Sequence, residues 1–195
     1  MSRRKRVSRI SNNVPAMLVL GMGLILLGMA AFVAWPGAEA SPDVTLSGGS
    51  STVPVEVHYA APVLALNDLE GTEHSLVDYH GQVVLVNLWA TWCPPCKAEM
   101  PTLEAFYQAH QANGFAMLAI NDGDPAADVA TFVQEYNLSF TVLLDPTYQA
   151  TDHAFKTHNL PSSFVIDREG NIRLRWVGEI DRASLEKYVT PLLLE

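Results

Sequence analysis

The chain has 195 residues, enough for one domain of ordinary size with an extension, and 49% of them are hydrophobic. Its formal net charge is −9, but residues 1–15 hold five of the 12 basic residues and none of the 21 acidic ones, which leaves a formal charge of −14 on the rest. A surface of that sign repels nucleic-acid phosphates and therefore excludes a nucleic-acid-binding protein.

An uncharged stretch of 20 residues, 16–35, follows the basic N-terminus. At ~1.5 Å rise per residue, a helix of this length spans the ~30 Å core of a bilayer. Basic residues stand just before the stretch, whereas the next Lys or Arg after it is Lys97, and this asymmetry places the N-terminus in the cytoplasm. We predict a cytoplasmic basic tail at 1–13, a transmembrane anchor at 14–35 and an extracytoplasmic location for everything that follows.

The segment after the uncharged stretch carries two further signals. Ala38-Glu39-Ala40 is typical of a signal-peptide cleavage site, which leaves open a secreted or periplasmic protein cleaved after Ala40. Residues 36–54 are rich in Pro, Gly and Ser and predict a flexible linker. A folded domain is therefore predicted for residues 55–195.

Strand and helix patterns alternate along that domain. It begins with a hairpin (63–66 and 73–76), a buried strand (83–88), a helix (96–112) and a second buried strand (115–120). A helix at 125–136, with Asp124 as its N-cap, is followed by three short strands (141–144, 163–166 and 172–177), of which the last two are joined by a turn at 167–171, and by a last helix capped by Asp181. Strands that alternate with helices predict an α/β fold whose central sheet is covered by helices on both faces.

The two cysteines of the chain, Cys93 and Cys96, fall at the turn from the first buried strand into the following helix. A Cys-x-x-Cys pair at that position is typical of a redox dithiol. A helix N-terminus offers partial positive charge and free N–H groups, which stabilise a thiolate. We therefore predict Cys93 as the exposed nucleophile and Cys96, one turn further in, as the shielded thiol that resolves a mixed disulfide.

The residues beside the cysteines bear on potential and on substrate binding. Pro94 and Pro95 have no backbone N–H to donate to a thiolate, so we predict a dithiol that acts as a reductant rather than as a strong oxidant. Trp92 belongs either to the core or to a surface that docks the partner protein. Because they flank Cys93, Trp92 and Pro94 are candidate substrate-binding residues.

Residues 89–101, with the sequence WATWCPPCKAEMP, resemble the active-site segment of the TlpA/ResA-like family of the thioredoxin superfamily. The resemblance extends over roughly residues 60–194. It implies a thioredoxin-like fold with a mixed central sheet, helices on both faces, an N-terminal hairpin and an inserted helix, here at 125–136.

The same resemblance implies roles for residues outside the dithiol. Pro101 matches the proline that kinks the active-site helix of thioredoxins. Leu160 and Pro161 match the cis-proline loop that lies beside the cysteines and helps to hold the substrate chain. Gly178 matches a glycine that lines the same groove.

Glu99 is the candidate catalytic base. Thioredoxin has a buried Asp six residues before its first cysteine that moves protons for the resolving thiol, whereas this chain has Asn87, which does not titrate. Glu99 follows Cys96 by three residues on the same helix face and matches the acidic residue that the ResA-like branch carries near its dithiol. We predict a partly buried Glu99 that accepts the Cys96 proton; a solvated Glu that favours the helix start is the alternative.

These features predict a membrane-anchored, extracytoplasmic thiol-disulfide oxidoreductase that requires no metal or organic cofactor. The resemblance implies that it reduces disulfides in specific proteins, for example apocytochrome c during cytochrome c maturation, and that an integral-membrane thiol carrier re-reduces it. Two alternatives remain open. One is a dithiol oxidase or isomerase, and the other is a copper chaperone that uses the two thiolates as ligands, although the Cys-x-x-Cys spacing argues against it.

Overall fold

The structure is a computed structural model, and it describes residues 53–195. The predicted tail at 1–13 and anchor at 14–35 lie outside the described residues, as does the predicted linker up to residue 52. Within residues 53–195, no helix is both long enough and apolar enough to cross a membrane.

The described residues form a mixed sheet of eight strands in the order β1-β8-β7-β4-β5-β6-β2-β3. The neighbours β4, β5 and β6 run parallel, and the other neighbouring pairs are antiparallel, which confirms the predicted mixed sheet and the predicted β2–β3 hairpin. The strands are β1 (Val55–Ala60), β2 (Ala65–Asp68), β3 (Glu73–Ser75), β4 (Val83–Trp89), β5 (Phe115–Asn121), β6 (Thr141–Leu144), β7 (Ser162–Ile166) and β8 (Asn171–Val177).

Four α-helices accompany this sheet in the described part of the chain: α1 (Pro94–His110), α2 (Ala126–Tyr136), α3 (Arg182–Tyr188) and α4 (Thr190–Leu193). Shorter helical turns are the 3-10 helices Leu76–Tyr79 and Gln111–Asn113 and a π-helical turn at Gln149–Ala154. Helix α1 connects β4 to its parallel neighbour β5, and α2 connects β5 to β6, as the parallel pairs require.

Strand β4 is buried along its whole length, and its alternate side chains enter two cores on opposite faces of the sheet. The first core holds Leu103 of α1, Phe132 of α2 and Leu185 of α3. The second holds Ala150 of the π-helical turn, and Leu76 of the first 3-10 helix packs against it. Helical segments therefore cover both faces, as predicted, but the α-helices lie against the first core and short 3-10 and π turns cover the second.

Helix α1 begins earlier than its apolar pattern indicates. Cys93 is the N-cap, with an extended backbone at φ −87° and ψ 108°, and Pro94 and Pro95 occupy the first turn. Proline fits there because the first N–H groups of a helix have no intrahelical partner and the fixed φ of proline is already helical. Pro101 lies inside the helix, where the resemblance places the kinking proline.

Asp124 is not the N-cap of α2, so that prediction is wrong. Its carboxylate accepts the backbone N–H of Thr91 at 2.7 Å and the side-chain amide of Asn121 at 2.8 Å. Pro125 occupies the cap position instead. The Asp124 carboxylate therefore binds the N–H of Thr91, a residue distant in the sequence, instead of an N–H in the first turn of α2.

Candidate active site

The two cysteines are joined in a disulfide at the carboxyl end of β4. The Sγ atoms lie 2.09 Å apart and the Cα atoms 5.3 Å apart. The backbone N–H of Cys96 donates to Cys93 Sγ at 3.3 Å, which is the bond by which Cys93 caps the helix. Because Pro94 and Pro95 have no N–H, the N–H of Cys96 is the first that α1 can offer to a thiolate at Cys93.

Burial of the cysteines differs from the expectation of an exposed Cys93. In the disulfide form Cys93 is 3% exposed and Cys96 is fully buried, so both belong to the first core. The residual exposure nevertheless lies with Cys93. Of the two cysteines, Cys93 is therefore the one that a partner sulfur can reach.

Exposed apolar side chains flank Cys93 in the sequence. Trp92 is 66% exposed, and Pro94 and Pro95 are exposed as well. Of the two interpretations for Trp92, the core position is therefore wrong. A large apolar side chain held in water next to a reactive sulfur is typical of a docking surface.

The predicted substrate loop lies at the same end of the sheet. The Leu160–Pro161 peptide bond is cis, as the resemblance predicts. Antiparallel pairing sets Ser162 opposite Leu88, so that Pro161 lies beside the end of β4 that leads to the dithiol. Leu160 is half-buried and packs against both cores.

Gly178 is joined directly to this loop. Its backbone N–H donates to the carbonyl oxygen of Pro161 at 2.8 Å. Gly178 has φ 97°, a left-handed conformation that glycine adopts without the steric cost that a Cβ would bring. The structure thus brings the ends of β4 and β8 and the start of β7 together around Cys93.

Glu99 is fully buried, which excludes the solvated alternative and exceeds the partial burial that we predict from the sequence. Its Oε1 accepts the side-chain amide of Asn87 at 2.8 Å, and its Oε2 accepts the backbone N–H of Ile180 at 3.0 Å. Burial raises the pKa of Glu99 to about 8, although both hydrogen bonds act to lower it and the negative Glu179 raises it further. A carboxyl with a pKa near neutral, one helical turn from Cys96, is suited to take up and release a proton.

Sequence reasoning did not identify three contacts that shape the site. The Ile180 N–H and the Asn87 amide hold Glu99, and the Asp124 carboxylate holds the backbone of Thr91, two residues before Cys93. A signal for Asn87 exists in the sequence, because an amide inside an otherwise apolar strand needs a polar partner.

Acidic side chains also gather beyond the carboxyl end of β5. Burial raises the pKa of Asp122, whose Oδ1 accepts the Thr151 hydroxyl at 3.0 Å. Asp145 accepts the backbone N–H groups of Gln149 and Ala150 at 2.8 and 2.7 Å. Among the residues that the structure describes, no group of three or more His, Cys, Asp and Glu is placed to hold a metal ion.

Comparison with known proteins gives consistent matches. The AhpC/TSA family matches residues 57–175. Thiol-disulfide oxidoreductase ResA of Geobacillus thermodenitrificans is 36% identical over 135 residues, which cover 69% of this chain and 77% of that protein. ResA of Bacillus anthracis is 31% identical over 166 residues, which cover 85% of this chain and 90% of that protein.

Solved structures share the fold. A chain described as the thiol:disulfide interchange protein DsbE of Chlorobium tepidum has a TM-score of 0.65 at 31% identity and covers 71% of this chain and 99% of its own. A secreted thiol-disulfide isomerase of Corynebacterium glutamicum has a TM-score of 0.69 at 24% identity and covers 80% and 96%. The latter supports the thioredoxin-like fold alone.

Proposed function

Because the chain belongs to the AhpC/TSA family and is a thiol-disulfide oxidoreductase of the ResA type, we propose that it reduces disulfides in partner proteins through Cys93 and Cys96. The observation that carries the proposal is the Cys93–Cys96 disulfide at the start of α1 with the buried carboxyl of Glu99 behind it.

The proposed reaction begins with the reduced dithiol. The Cys93 thiolate attacks one sulfur of the partner disulfide, a Cys93–partner bond forms, and the other partner sulfur leaves as a thiolate that takes a proton from solvent. Cys96 then attacks Cys93 Sγ and its own proton passes to the Glu99 carboxylate. The Cys93–partner bond breaks, the second partner sulfur leaves as a thiolate that takes a proton from solvent, and the enzyme is left with the Cys93–Cys96 disulfide and a protonated Glu99.

The pKa of Glu99 supports this order of events. At about 8 it makes the neutral acid the main form at pH 7 in the disulfide state, which is the form that the reaction leaves behind. The carboxylate remains a minor form close enough in free energy to accept a proton from Cys96. A base of this kind works best when its pKa lies near the working pH.

The exposed residues beside Cys93 and the loops at the ends of the neighbouring strands supply the proposed substrate-binding residues. Trp92 and Pro94 offer exposed apolar surface on one side of the sulfur, and Leu160, Pro161 and Gly178 lie where β7 and β8 meet the end of β4. An extended peptide bound across the ends of these strands would bring its disulfide to Cys93. That arrangement favours protein substrates over small disulfides.

We further propose that the enzyme is anchored in the cell membrane by residues 14–35 and faces the extracytoplasmic space. The uncharged stretch and the basic residues before it support this location. Apocytochrome c as a substrate and an integral-membrane thiol carrier as electron donor are part of the same proposal, because the family resemblance implies them.

A trapping experiment tests the reductase proposal. Reduced full-length Cys96→Ser is expected to capture insulin, used as a disulfide-bonded probe, in a mixed disulfide at Cys93, and Cys93→Ser as the matched control is expected to capture none. Peptide mapping identifies the linked cysteine. Equal capture through Cys96 would contradict the assignment of the nucleophile, and no capture by either variant would contradict the proposed function.

A disulfide isomerase is the second candidate, because a Bacteroides thetaiotaomicron structure described as a protein disulfide isomerase is 27% identical with a TM-score of 0.66. The reduction potential of the Cys93–Cys96 couple separates the two. A reductase is expected near the thioredoxin value of about −270 mV, whereas an isomerase lies near about −180 mV. Equilibration with glutathione buffers measures it.

A further inference from the structure

Asn87 is a fully buried amide in the middle of an otherwise apolar strand. It lies two residues from Leu85 and from Trp89, which both belong to the first core, so its side chain points to the same face of the sheet, which α1 covers. A polar group in that position costs stability unless it is hydrogen-bonded. The partners of its amide therefore indicate why it is there.

The amide nitrogen of Asn87 serves two oxygens at once. Nδ2 donates to Glu99 Oε1 at 2.8 Å and to Ser163 Oγ at 2.9 Å, and Ser163 is itself fully buried. The buried Oδ1 finds no hydrogen-bond partner among the residues that the structure describes. Within the described residues, the hydrogen bonds of this side chain are therefore the two that its amide nitrogen donates.

Donation to a carboxyl oxygen has a defined consequence. An N–H aimed at a carboxylate favours the ionised form, and burial opposes it. From the segment after β8, the Ile180 N–H acts in the same direction as Asn87, whereas the negative Glu179 opposes both. Helix α1 contributes the two cysteines, and β7 contributes the neutral Ser163, which contacts Asn87.

We propose that Asn87 is a positioning residue for proton transfer: its Nδ2, which also donates to Ser163, fixes the Glu99 carboxyl and stabilises the ionised form that accepts the Cys96 proton. The proposal rests on the reductase function proposed above. The ionised Glu99 carboxylate gives the orientation, because it only accepts hydrogen bonds and the reversed amide would face it with a second oxygen; the Ser163 hydroxyl accepts the other N–H of the same amide. Asn87 thereby takes the strand position of the titrating Asp of thioredoxin without titrating itself.

The test replaces Asn87 by an apolar residue of similar size. In full-length Asn87→Leu the titration midpoint of Glu99 is expected to rise by about one unit, which lowers the carboxylate fraction at pH 7 about tenfold. Carbon-13 NMR of glutamate labelled at the side-chain carboxyl reports the midpoint, and Glu99→Gln identifies the signal. Quenched flow measures the lifetime of the Cys93–glutathione mixed disulfide, which is expected to lengthen at pH 7 by a similar factor and to recover at higher pH.

Matched variants separate positioning from packing. Ser163→Ala is expected to shift the midpoint in the same direction by less, and Asn87→Ala provides a second removal of the donor if Asn87→Leu does not fold. Asn121→Ala removes a buried Asn at the end of the neighbouring strand that contacts Asp124 and not Glu99, so the Glu99 midpoint is expected to stay in place.

The double variant Asn87→Leu/Glu99→Gln distinguishes the two roles. It is expected to resolve the mixed disulfide at the rate of Glu99→Gln alone, because Asn87 acts through Glu99. An unchanged midpoint in Asn87→Leu, or an additive loss in the double variant, would overturn the proposal. Failure of the insulin trap with a shifted midpoint would instead refute the reductase function, because the titration requires no turnover.

Discussion

Glu99 is neutral in most molecules at pH 7, yet the proposed reaction uses its carboxylate. The carboxylate remains accessible because two effects on the pKa of Glu99 oppose each other. Burial raises this pKa to about 8, and the N–H groups of Asn87 and Ile180 prevent a larger rise. The ionised fraction grows as pH rises through the pKa. The rate of the step that needs the carboxylate should therefore rise with pH over the same interval.

Glu99→Gln is expected to slow resolution of the mixed disulfide by up to ~10²-fold and to remove the rise in rate centred near pH 8. Gln keeps the size of the side chain and one of the two oxygens that accept from Asn87 and Ile180, so the fold should survive. Stopped or quenched flow between pH 6 and pH 9 would measure the profile. Glu104→Gln, on the same helix and half-buried, is the control that should leave the profile unchanged. A wild-type profile in Glu99→Gln would mean that solvent supplies the base.

The same side chain should make the free energy of unfolding depend on pH. The pKa of Glu99 is about 8 in the folded protein and about 4.5 in the unfolded chain, so between these values the unfolded state binds fewer protons. Stability should therefore be highest below about pH 4.5 as far as Glu99 is concerned, and should fall towards pH 8 by up to about 1.4 kcal/mol per pH unit. Urea unfolding of the oxidised protein measures this slope, which Glu99→Gln should reduce; an equal slope in both proteins would contradict it.

At the scale of elements, the turn between β5 and α2 holds the loop that precedes the dithiol. Asp124 accepts the N–H of Thr91 and the amide of Asn121, and the backbone N–H of Asp122 donates to the carbonyl oxygen of Trp89 at 2.9 Å. These bonds join neighbouring parallel strands just beyond their carboxyl ends. They hold the backbone of residues 89–91 in place and so set the position of Cys93, the N-cap of α1.

Asp124→Ala is therefore expected to lower the free energy of unfolding by about 1–3 kcal/mol, because it leaves the Thr91 N–H and the Asn121 amide without their acceptor. Looser placement of the helix cap should also slow the reaction of Cys93 with iodoacetamide at neutral pH. Asp128→Ala, at an exposed position in the first turn of α2, is the control. If Asp124→Ala changes neither stability nor alkylation, the turn does not position the dithiol.

The sequence predicts some elements better than others, for physical reasons. Strands β4 and β5 are recognisable because burial on both faces requires continuous apolar runs. Strand β1 gives no such pattern, since it lies at the sheet edge and most of its side chains are exposed. Asp124 before Pro125 is typical of a helix cap, but its partner Thr91 lies 33 residues away in the sequence.

The candidate site divides in the same way. The spacing of Cys93, Cys96 and Glu99 along one helix can be read from the sequence, because helix geometry is local. The partners that tune Glu99 cannot, because Ile180 is 81 residues from it and Ser163 is 76 residues from Asn87. Only the register of β4 with β7 and the course of the chain after β8 bring them together.

At the scale of the whole molecule, the order and direction of the strands explain why the parts of the site meet at one end of β4, β7 and β8. Strand β7 lies between β4 and β8 and runs antiparallel to both, so its start meets the ends of both neighbours. The dithiol follows β4, the cis-proline loop precedes β7 and Gly178 follows β8. All these parts belong to residues 53–195.

The proposed anchor can be tested apart from the chemistry of the dithiol. The full-length protein is expected to sediment with membranes and to resist extraction by alkaline carbonate, because an uncharged 20-residue helix spans the ~30 Å bilayer core. Protease added from the extracytoplasmic side should cut within residues 36–54, where Pro, Gly and Ser predict a flexible chain, and should release a fragment that still reduces insulin. Leu26→Arg with Leu27→Arg is the matched control, since each Arg at the helix centre costs about 2.5–3.5 kcal/mol on insertion scales and should release the protein from the membrane. A mature N-terminus at Ser41, found by N-terminal sequencing of the wild-type protein, would show instead that the segment is a cleaved signal and that the enzyme acts unanchored.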